Sequence, residues 1–375
     1  MIFDSESVFE ENVITVLKQH GWKDGVLRYP TERDLLDNWK DILYRNNNDI
    51  DRLGKYPLTD GEMTQIIEQI ETLRTPLALN SFVNGRTVSI TRDNKEDVAH
   101  FGKEVSLYIY DRKEIAGGKS TYQIAQQPVY PAKNKMLNSR RGDLVLLING
   151  MPLIHIELKK SGIPVSQATN QIEKYAHEGV FTGLFRLVQI FVAMNPDDAV
   201  YFANPGVDKF NPSYYFHWAD YNNEPICGGQ NPGKDEWKLF IGGTSGTAGL
   251  LSIPMAHQLI GFYTIADSAD GCLKVLRSYQ YIAANAISDV VRKCDWEQRP
   301  ATPGRPGGYV WHTTGSGKTM TSFKSAQLIA DSHDADKVVF LMDRIELGTQ
   351  SLKEYRSFAD SETEVQGTEN TGAFA

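Results

Sequence analysis

Residues 141–175, RGDLVLLINGMPLIHIELKKSGIPVSQATNQIEKY, form the stretch of sequence that decides the fold. Val, Ile and Leu dominate residues 144–148 and 153–158, and Asn149-Gly150 between them is the strongest short-range signal for a β-hairpin. Both runs are therefore predicted strands. Period-two alternation in the second strand separates an apolar face from a polar one. The apolar face contains Ile154, Ile156 and Leu158, and the polar face contains His155, Glu157 and Lys159.

The pairing register of this hairpin decides whether Asp143 can join Glu157. Directly opposed residues of an antiparallel pair share a face, so a two-residue turn with a regular ladder pairs Asp143 with Ile156 and turns Asp143 toward the core. We therefore predict a three-residue loop that ends in a left-handed Gly150 and pairs Asp143 with His155, or a compensating bulge elsewhere between Asp143 and Glu157. Either arrangement puts both carboxylates on one face.

Asp143 and Glu157 in that position are candidate ligands of one Mg²⁺, and Lys159 is a fixed positive charge beside them. Hydrolysis of a phosphodiester develops negative charge on phosphate oxygens, which a carboxylate-held metal and an ammonium group stabilise. Residues 166–175 form a predicted helix with Gln171 and Tyr175 on one face, available to metal-bound water or a DNA phosphate. Taken singly, each feature also fits a solvated strand edge or a capped core.

The combined pattern D-(x)13-E-x-K followed by Q-x-x-x-Y resembles the PD-(D/E)xK nuclease superfamily, in particular its RecB-like branch. The resemblance implies a nuclease centre of Asp143, Glu157 and Lys159, with Gln171 and Tyr175 as its helix motif. The first predicted helix, with Ser7 as its cap and Gly21 at its end, offers Glu10 or Glu11 as a further ligand. Glutamates in a first turn more commonly complement the helix dipole.

Composition favours a soluble protein of two domains. The chain has 375 residues, 41% of them hydrophobic and 23% charged, without an apolar run of about 18 residues that would span a membrane. The acidic start and three cysteines without a CxxC pair predict a cytoplasmic protein without structural zinc. With a net charge of −8, DNA contact requires local basic groups. The candidates are Lys133, Lys135, Arg140, Arg141, Lys159 and Lys160.

The predicted fold is α/β. Residues 1–250 are expected to form a mixed sheet flanked by helices and to end in a glycine-rich linker at 242–249. Residues 251–375 are expected to form an incomplete RecA-like helicase lobe. The aromatic residues at 214–218 are predicted core, with base stacking as the alternative.

A second site is predicted at residues 309–342. The pattern gives a strand at 309–311, the loop HTTGSGKT at 312–319, a helix at 320–330 and a strand at 337–342. This is the setting of a P-loop, in which backbone N–H groups and a lysine surround phosphates and a hydroxyl binds Mg²⁺. The candidate ATP-binding residues are Thr314, Gly315, Ser316, Gly317, Lys318 and Thr319, with Thr319 as the Mg²⁺ ligand. Gln280 fits an adenine-reading Q motif.

The nuclease hairpin, QxxxY, RSYQ at 277–280, WHTTGSGKT at 311–319 and MDRIEL at 342–347 occur in an order that closely resembles the restriction (R, HsdR-type) subunit of type I restriction-modification enzymes. The resemblance implies Mg²⁺-dependent cleavage of double-stranded DNA, an ATP-driven superfamily 2 translocase, and assembly with modification and specificity subunits. Asp343-Arg344 corresponds to motif Ia. No DExx box follows, so we expect an N-terminal fragment that binds nucleotide without efficient turnover.

Two alternatives remain at this stage. The chain can belong to a helicase or remodelling ATPase whose N-terminal domain only grips DNA or partner subunits, with structural hairpin carboxylates. It can also be a non-catalytic docking module whose shape changes with nucleotide. Mg²⁺-dependent DNA nicking that is abolished by Glu157→Ala separates the nuclease from both.

Overall fold

The computed structural model describes residues 2–115, 118–131, 140–207, 209–293, 307–342, 344–359 and 365–367. The helices are α1 (Glu6–Gln19), α2 (Glu32–Asn46), α3 (Asp60–Thr72), α4 (Pro76–Asn84), α5 (Val165–Glu178), α6 (Glu236–Gly242), α7 (Met255–Gly261), α8 (Ser278–Lys293), α9 (Lys318–Ser332) and α10 (Ile345–Phe358). The strands are β1 (Val26–Arg28), β2 (Thr87–Thr91), β3 (Glu104–Tyr108), β4 (Tyr122–Gln126), β5 (Leu144–Ile148), β6 (Met151–Leu158), β7 (Ile190–Met194), β8 (Ala199–Ala203), β9 (Thr264–Asp267) and β10 (Cys272–Val275).

The central sheet is mixed, as the sequence predicts. Its six strands run in the order β1-β4-β5-β6-β7-β8. The β1–β4 and β6–β7 pairs are parallel, and the other neighbouring pairs are antiparallel. The β2–β3 and β9–β10 hairpins form separate two-stranded sheets. β5 and β6 lie in the middle of the large sheet, and both faces of each are buried, including the polar face of β6.

The β5–β6 hairpin turns in two residues, so the predicted three-residue loop is wrong. Asn149 and Gly150 both have positive φ, 53° and 84°, and Ile148 pairs with Met151. The predicted compensating bulge is present: Leu147 pairs with Pro152, but Leu146 pairs with Ile154, which leaves Leu153 as the extra residue. Leu144 then pairs with Ile156, and the same register places Asp143 opposite Glu157.

Helix α1 packs on the sheet and begins at Glu6, two residues before the predicted start, because Ser5 and not Ser7 accepts the capping hydrogen bond from the Val8 N–H. Phe9, Val13 and Leu17 are fully buried. Helices α2 and α3 also bury their apolar faces in the main core, and each carries a capping box. No helix among the described residues is long and apolar enough to cross a bilayer.

The predicted strands at 309–311 and 337–342 are wrong: both segments are irregular, mostly exposed chain on either side of α9. Tyr309 and Trp311 are 90% and 87% exposed. A strand requires a neighbour that accepts its backbone hydrogen bonds, and neither segment is paired with a strand in the part of the chain that the structure describes. The predicted helix between them is confirmed as α9.

Candidate active site

The end of the central sheet at which β5 begins and β6 ends brings Asp143 and Glu157 together. The main-chain carbonyl of Asp143 accepts a hydrogen bond of 2.7 Å from the Gln127 N–H, at the end of β4. One carboxylate oxygen of Asp143, Oδ2, accepts a hydrogen bond of 2.7 Å from the Leu158 N–H. Asp143 is thus attached to both neighbouring strands, and its side chain is held beside the end of β6.

Glu157 is fully buried, and neither of its carboxylate oxygens has a hydrogen-bond partner among the described residues. His155 Nε2 lies 3.3 Å from Glu157 Oε2, and Lys159 Nζ lies 3.5 Å from Oε1. The other imidazole nitrogen of His155, Nδ1, is hydrogen-bonded to the Tyr130 hydroxyl at 2.8 Å. Burial lowers the pKa of His155 to about 4, so this imidazole is neutral at pH 7 and does not compensate the glutamate.

The pKa values of both carboxyl groups are raised above their ordinary values. Burial, reinforced by the charge of Glu157, raises the pKa of Asp143 to about 8. Burial likewise raises the pKa of Glu157 to about 7, against the opposing influence of the Lys159 ammonium. Two neighbouring carboxylates at the end of a buried strand destabilise each other when both are ionised. A bound cation would relieve that repulsion.

The donor set fits Mg²⁺. Among the described residues there is no group of three or more His, Cys, Asp or Glu side chains that could hold a metal ion. Mg²⁺, however, is commonly bound by one or two carboxylates and keeps several water molecules. Asp143 and Glu157 supply two such carboxylates, and the unpartnered oxygens of Glu157 are the groups that a cation would satisfy.

Lys159 is buried beside this pair. Its Nζ donates to the Leu158 carbonyl oxygen at 2.8 Å and lies 3.7 Å from Glu6 Oε1 of helix α1. The main-chain N–H of Lys159 donates to the Met194 carbonyl of β7. The ammonium group is therefore held in place next to the carboxylates rather than extended into solvent.

Gln171 and Tyr175 meet on α5, as their spacing predicts, and they are bonded to each other. The Gln171 side-chain amide donates to the Tyr175 hydroxyl at 2.7 Å, and this hydroxyl donates to the Arg141 carbonyl oxygen at 2.9 Å. The pair fixes the chain two residues before Asp143. In this arrangement the tyrosine hydroxyl is bonded to main chain close to Asp143.

Helix α1 contributes one buried carboxylate. The two candidate glutamates, Glu10 and Glu11, differ in burial and in their partners. Glu10 accepts hydrogen bonds from Gln126 and Gln127, and burial raises its pKa. Glu11 is exposed and forms a 2.7 Å ion pair with Arg28. The charge of Asp143 also raises the pKa of Glu10, so Glu10 is the member of the pair that faces the site.

Sequence reasoning missed four polar residues around the carboxylates: Glu6, Gln126, Gln127 and Tyr130. Gln126 and Gln127 stand where β4 ends, and consecutive polar residues at the end of an apolar strand are a signal that could have found them. Tyr130 and Glu6 carry no comparable signal, since only the fold brings them near His155 and Lys159.

The glycine loop wraps the start of α9. Gly317 is the N-cap with φ 78°, Gly315 has the same φ, and Lys318 and Thr319 begin the helix. Such a loop presents backbone N–H groups to an anion. Lys318 is exposed, and its Nζ donates to the Thr313 carbonyl at 3.1 Å. Thr314 is exposed, and the Ser316 hydroxyl lies 3.0 Å from His312 Nδ1.

Gln280 lies against this loop, but its amide is already engaged. Its oxygen accepts from the Arg277 N–H at 2.9 Å, and its nitrogen donates to the Gly317 carbonyl at 3.2 Å. The Tyr279 hydroxyl donates to the Ser316 carbonyl at 2.9 Å. In this structure these contacts hold the loop to α8, and the adenine-reading role of Gln280 stays a prediction.

Some predicted contacts fall outside the described residues, namely those of Lys133, Lys135 and Asp343. Arg140 forms a 2.9 Å ion pair with Glu178, and Lys160 donates to the Asp4 carbonyl. The aromatic prediction is confirmed for Trp218, which is buried, whereas Tyr214 is exposed. Cys227 and Cys272 are free thiols.

The fold and the carboxylate pair agree with the class of protein that the comparisons define. A family model described as type I restriction enzyme R protein N terminus matches residues 4–210, and a SWI2/SNF2 ATPase model matches residues 279–373. The chain belongs to the family of type I restriction enzyme R proteins, as its motifs predict.

Three relatives illustrate the similarity. An endonuclease subunit of Staphylococcus saprophyticus, type I restriction enzyme SsaAORF53P, is 31% identical over 99% of this chain and 35% of its own length. The SauMSSORF170P endonuclease subunit of Staphylococcus aureus is 32% identical over 96% of this chain and 34% of its own. The EcoprrI endonuclease subunit of Escherichia coli is 29% identical over 56% of this chain and 62% of its own sequence. The chain thus spans about a third of the length of the staphylococcal relatives.

Proposed function

We propose that residues 1–250 form a PD-(D/E)xK endonuclease domain that cleaves double-stranded DNA with Mg²⁺ held by Asp143 and Glu157. The observation that carries this proposal is the fully buried carboxyl group of Glu157, which lies opposite Asp143 and whose oxygens have no hydrogen-bond partner among the described residues. Burying two neighbouring carboxyl groups costs stability when both ionise, and groups with pKa values perturbed in this way cluster at functional sites. A cation explains why this pair is retained.

The side chains of the site have separable tasks. When bound, Mg²⁺ supplies Lewis-acid stabilisation of phosphate charge and lowers the pKa of a bound water. The Leu158 N–H fixes the orientation of the Asp143 carboxylate. The Lys159 ammonium, held by the Leu158 carbonyl, is positioned to stabilise the negative charge that develops on the phosphate. Gln171 and Tyr175 hold the Arg141 carbonyl, and thereby the main chain that leads to Asp143.

We also propose that the region from 251 onward binds ATP with Mg²⁺ and belongs to a DNA translocase. The supporting observations are the SWI2/SNF2 ATPase match and the glycine loop at the start of α9, with Lys318 exposed beside it. In this proposal Lys318 contacts the phosphates and Thr319 contacts the Mg²⁺ that accompanies them. The subunit would act in a complex with modification and specificity subunits, which select the DNA sequence.

The nuclease proposal is tested with duplex DNA and the purified chain, in Mg²⁺ or in EDTA. We expect cleavage in Mg²⁺ and none in EDTA. Cleavage in Mg²⁺ should be lost in Asp143→Ala, Glu157→Ala and Lys159→Ala. Glu173→Gln, at a partly exposed glutamate on α5, is the matched control and should cleave normally. Unchanged cleavage by Glu157→Ala would instead favour an ATPase whose N-terminal domain only binds DNA or partner subunits.

A further inference from the structure

Tyr29 is an aromatic residue in an unfavourable backbone conformation at the rim of the carboxylate site. It follows β1 directly, and its φ is +55°, in the left-handed region that bulky side chains rarely adopt. Its N–H donates to the Gln126 carbonyl at 2.8 Å, at the end of β4. The residue is 51% exposed, so burial in the core does not compensate the unfavourable backbone. Such conformations persist where they position a group for function.

Arg141 lies next to Tyr29. Its guanidinium carbon is 5.8 Å from the centre of the Tyr29 ring, a cation–π contact. Its main-chain carbonyl accepts the hydrogen bond from the Tyr175 hydroxyl, and Asp143 follows two residues later. Tyr29 and Arg141 are therefore attached to the same strand ends that hold the carboxylates.

The charge of Arg141 is available to a ligand. Arg28 is paired with Glu11 and Arg140 with Glu178, so the neighbouring arginines are largely neutralised. Arg141 is exposed, and no carboxylate of the described residues lies within ion-pair distance of it. A guanidinium held against an aromatic ring and free of carboxylates matches a phosphate with an adjacent base or sugar.

We propose that Tyr29 and Arg141 form a DNA contact beside the cleavage centre, in which Arg141 binds a backbone phosphate and the Tyr29 ring packs against the adjoining nucleotide. This contact rests on the proposed nuclease function and adds to it the residues that seat the substrate. Arg141 supplies salt-dependent affinity, because neutralising a phosphate releases counterions. The contact of the Tyr29 ring with the nucleotide supplies affinity that does not depend on the salt concentration.

The test measures binding of the 375-residue chain to a labelled duplex by fluorescence anisotropy in EDTA, over a series of salt concentrations. Arg141→Gln should weaken binding and reduce the magnitude of the slope of log K against log salt by about 0.9, the value for one phosphate contact. Tyr29→Gly should weaken binding without changing the slope, and Tyr29→Phe should bind like wild type. The unfolding temperature of Tyr29→Gly should not fall, because glycine tolerates this φ.

Arg52 and Tyr108 provide a control away from the site: the Arg52 guanidinium carbon lies 3.7 Å from the centre of the Tyr108 ring, and Arg52, unlike Arg141, is also paired with a carboxylate, Asp49. Arg52→Gln should leave affinity and slope unchanged. An unchanged slope in Arg141→Gln, or unchanged affinity in Tyr29→Gly, would overturn this proposal. The proposed nuclease function fails separately, if Mg²⁺-dependent cleavage survives in Glu157→Gln. That variant should still bind DNA with the wild-type slope.

Discussion

Asp143 shows how one residue links the stability of the fold to the chemistry of the site. Its carboxylate accepts a hydrogen bond from the Leu158 N–H, while burial and the neighbouring Glu157 favour the protonated form. Ionising both carboxyl groups in this buried site therefore destabilises the folded chain. Residues in such sites are commonly retained for function at the expense of stability.

The first prediction concerns pH. Asp143 has a pKa of about 8 in the folded chain and an ordinary value of 3.8, so the folded state retains a proton that the unfolded chain releases. The stabilising contribution is complete below about pH 4 and is lost as the pH rises toward 8. In EDTA, Asp143→Asn should therefore unfold at a higher temperature than wild type at pH 8, with the difference vanishing near pH 4.

Asp60 gives a control of opposite sign. Hydrogen bonds from Lys40 and Arg33 lower the pKa of Asp60 to about 2, so it stabilises the fold above its ordinary value of 3.8 and loses that contribution as the pH falls toward 2. Asp60→Asn should lower the unfolding temperature at neutral pH. A lower unfolding temperature for Asp143→Asn at pH 8 would contradict the assignment of a destabilised carboxylate.

Tyr175 is predicted to act through position. Tyr175→Phe removes the hydroxyl between Gln171 and the Arg141 carbonyl, which should cost about 1 kcal/mol of stability. Cleavage should fall roughly tenfold, as when groups that orient metal ligands are removed. Tyr215→Phe, on a ring stacked against Phe202, is the control and should cleave at the wild-type rate. Equal rates for Tyr175→Phe and wild type would show that α5 does not position the site.

At the scale of elements, the β5–β6 hairpin shows what sequence can and cannot predict. Apolar runs around Asn149-Gly150 predict both strands, and the parity of the pairing predicts one extra residue between Asp143 and Glu157. The position of that residue was not predictable, because a two-residue turn with positive φ at both residues and a three-residue loop both accept Asn-Gly. The bulge lies at Leu153, inside a strand buried on both faces.

The contact between helix α8 and the glycine loop leads to a prediction about nucleotide affinity. Gln280 bridges the Arg277 N–H and the Gly317 carbonyl, so Gln280→Ala should loosen the loop for any nucleotide. We expect the affinities for ATP and GTP to fall together, by about tenfold, which corresponds to roughly 1.4 kcal/mol. Lys318→Ala is the reference variant, because it removes the proposed contact with the phosphates. A fall in ATP affinity with unchanged GTP affinity would instead support the predicted adenine-reading role of Gln280.

At the scale of the whole molecule, the two regions matched by different families are joined by specific contacts. Arg112 pairs with Asp331 of α9 at 3.0 Å, and the Lys113 Nζ donates to the Asp331 carbonyl oxygen at 3.0 Å. One hydrophobic core also includes residues from both regions, among them Phe323 and Tyr355. The division at residue 250 remains a prediction.

The features that the sequence did not predict depend on contacts between residues far apart in the chain. Local periodicity predicted α9, but not the exposed chain at 309–311 and 337–342, because β-structure depends on neighbours that periodicity does not specify. The order of motifs predicted the family, which the comparisons confirm. The partners of Glu10 and Lys159 required the fold, since they come from β4 and α1.

The central claim, that Asp143 and Glu157 form a Mg²⁺ site, is tested most directly by calorimetric titration of the nucleotide-free chain with Mg²⁺ at pH 7. We predict a single site whose occupation releases protons, because both carboxyl groups have raised pKa values and must ionise to bind the cation. Glu157→Gln should abolish both the binding and the proton release, while Glu173→Gln retains them. Wild-type affinity and proton release in Glu157→Gln would contradict the account.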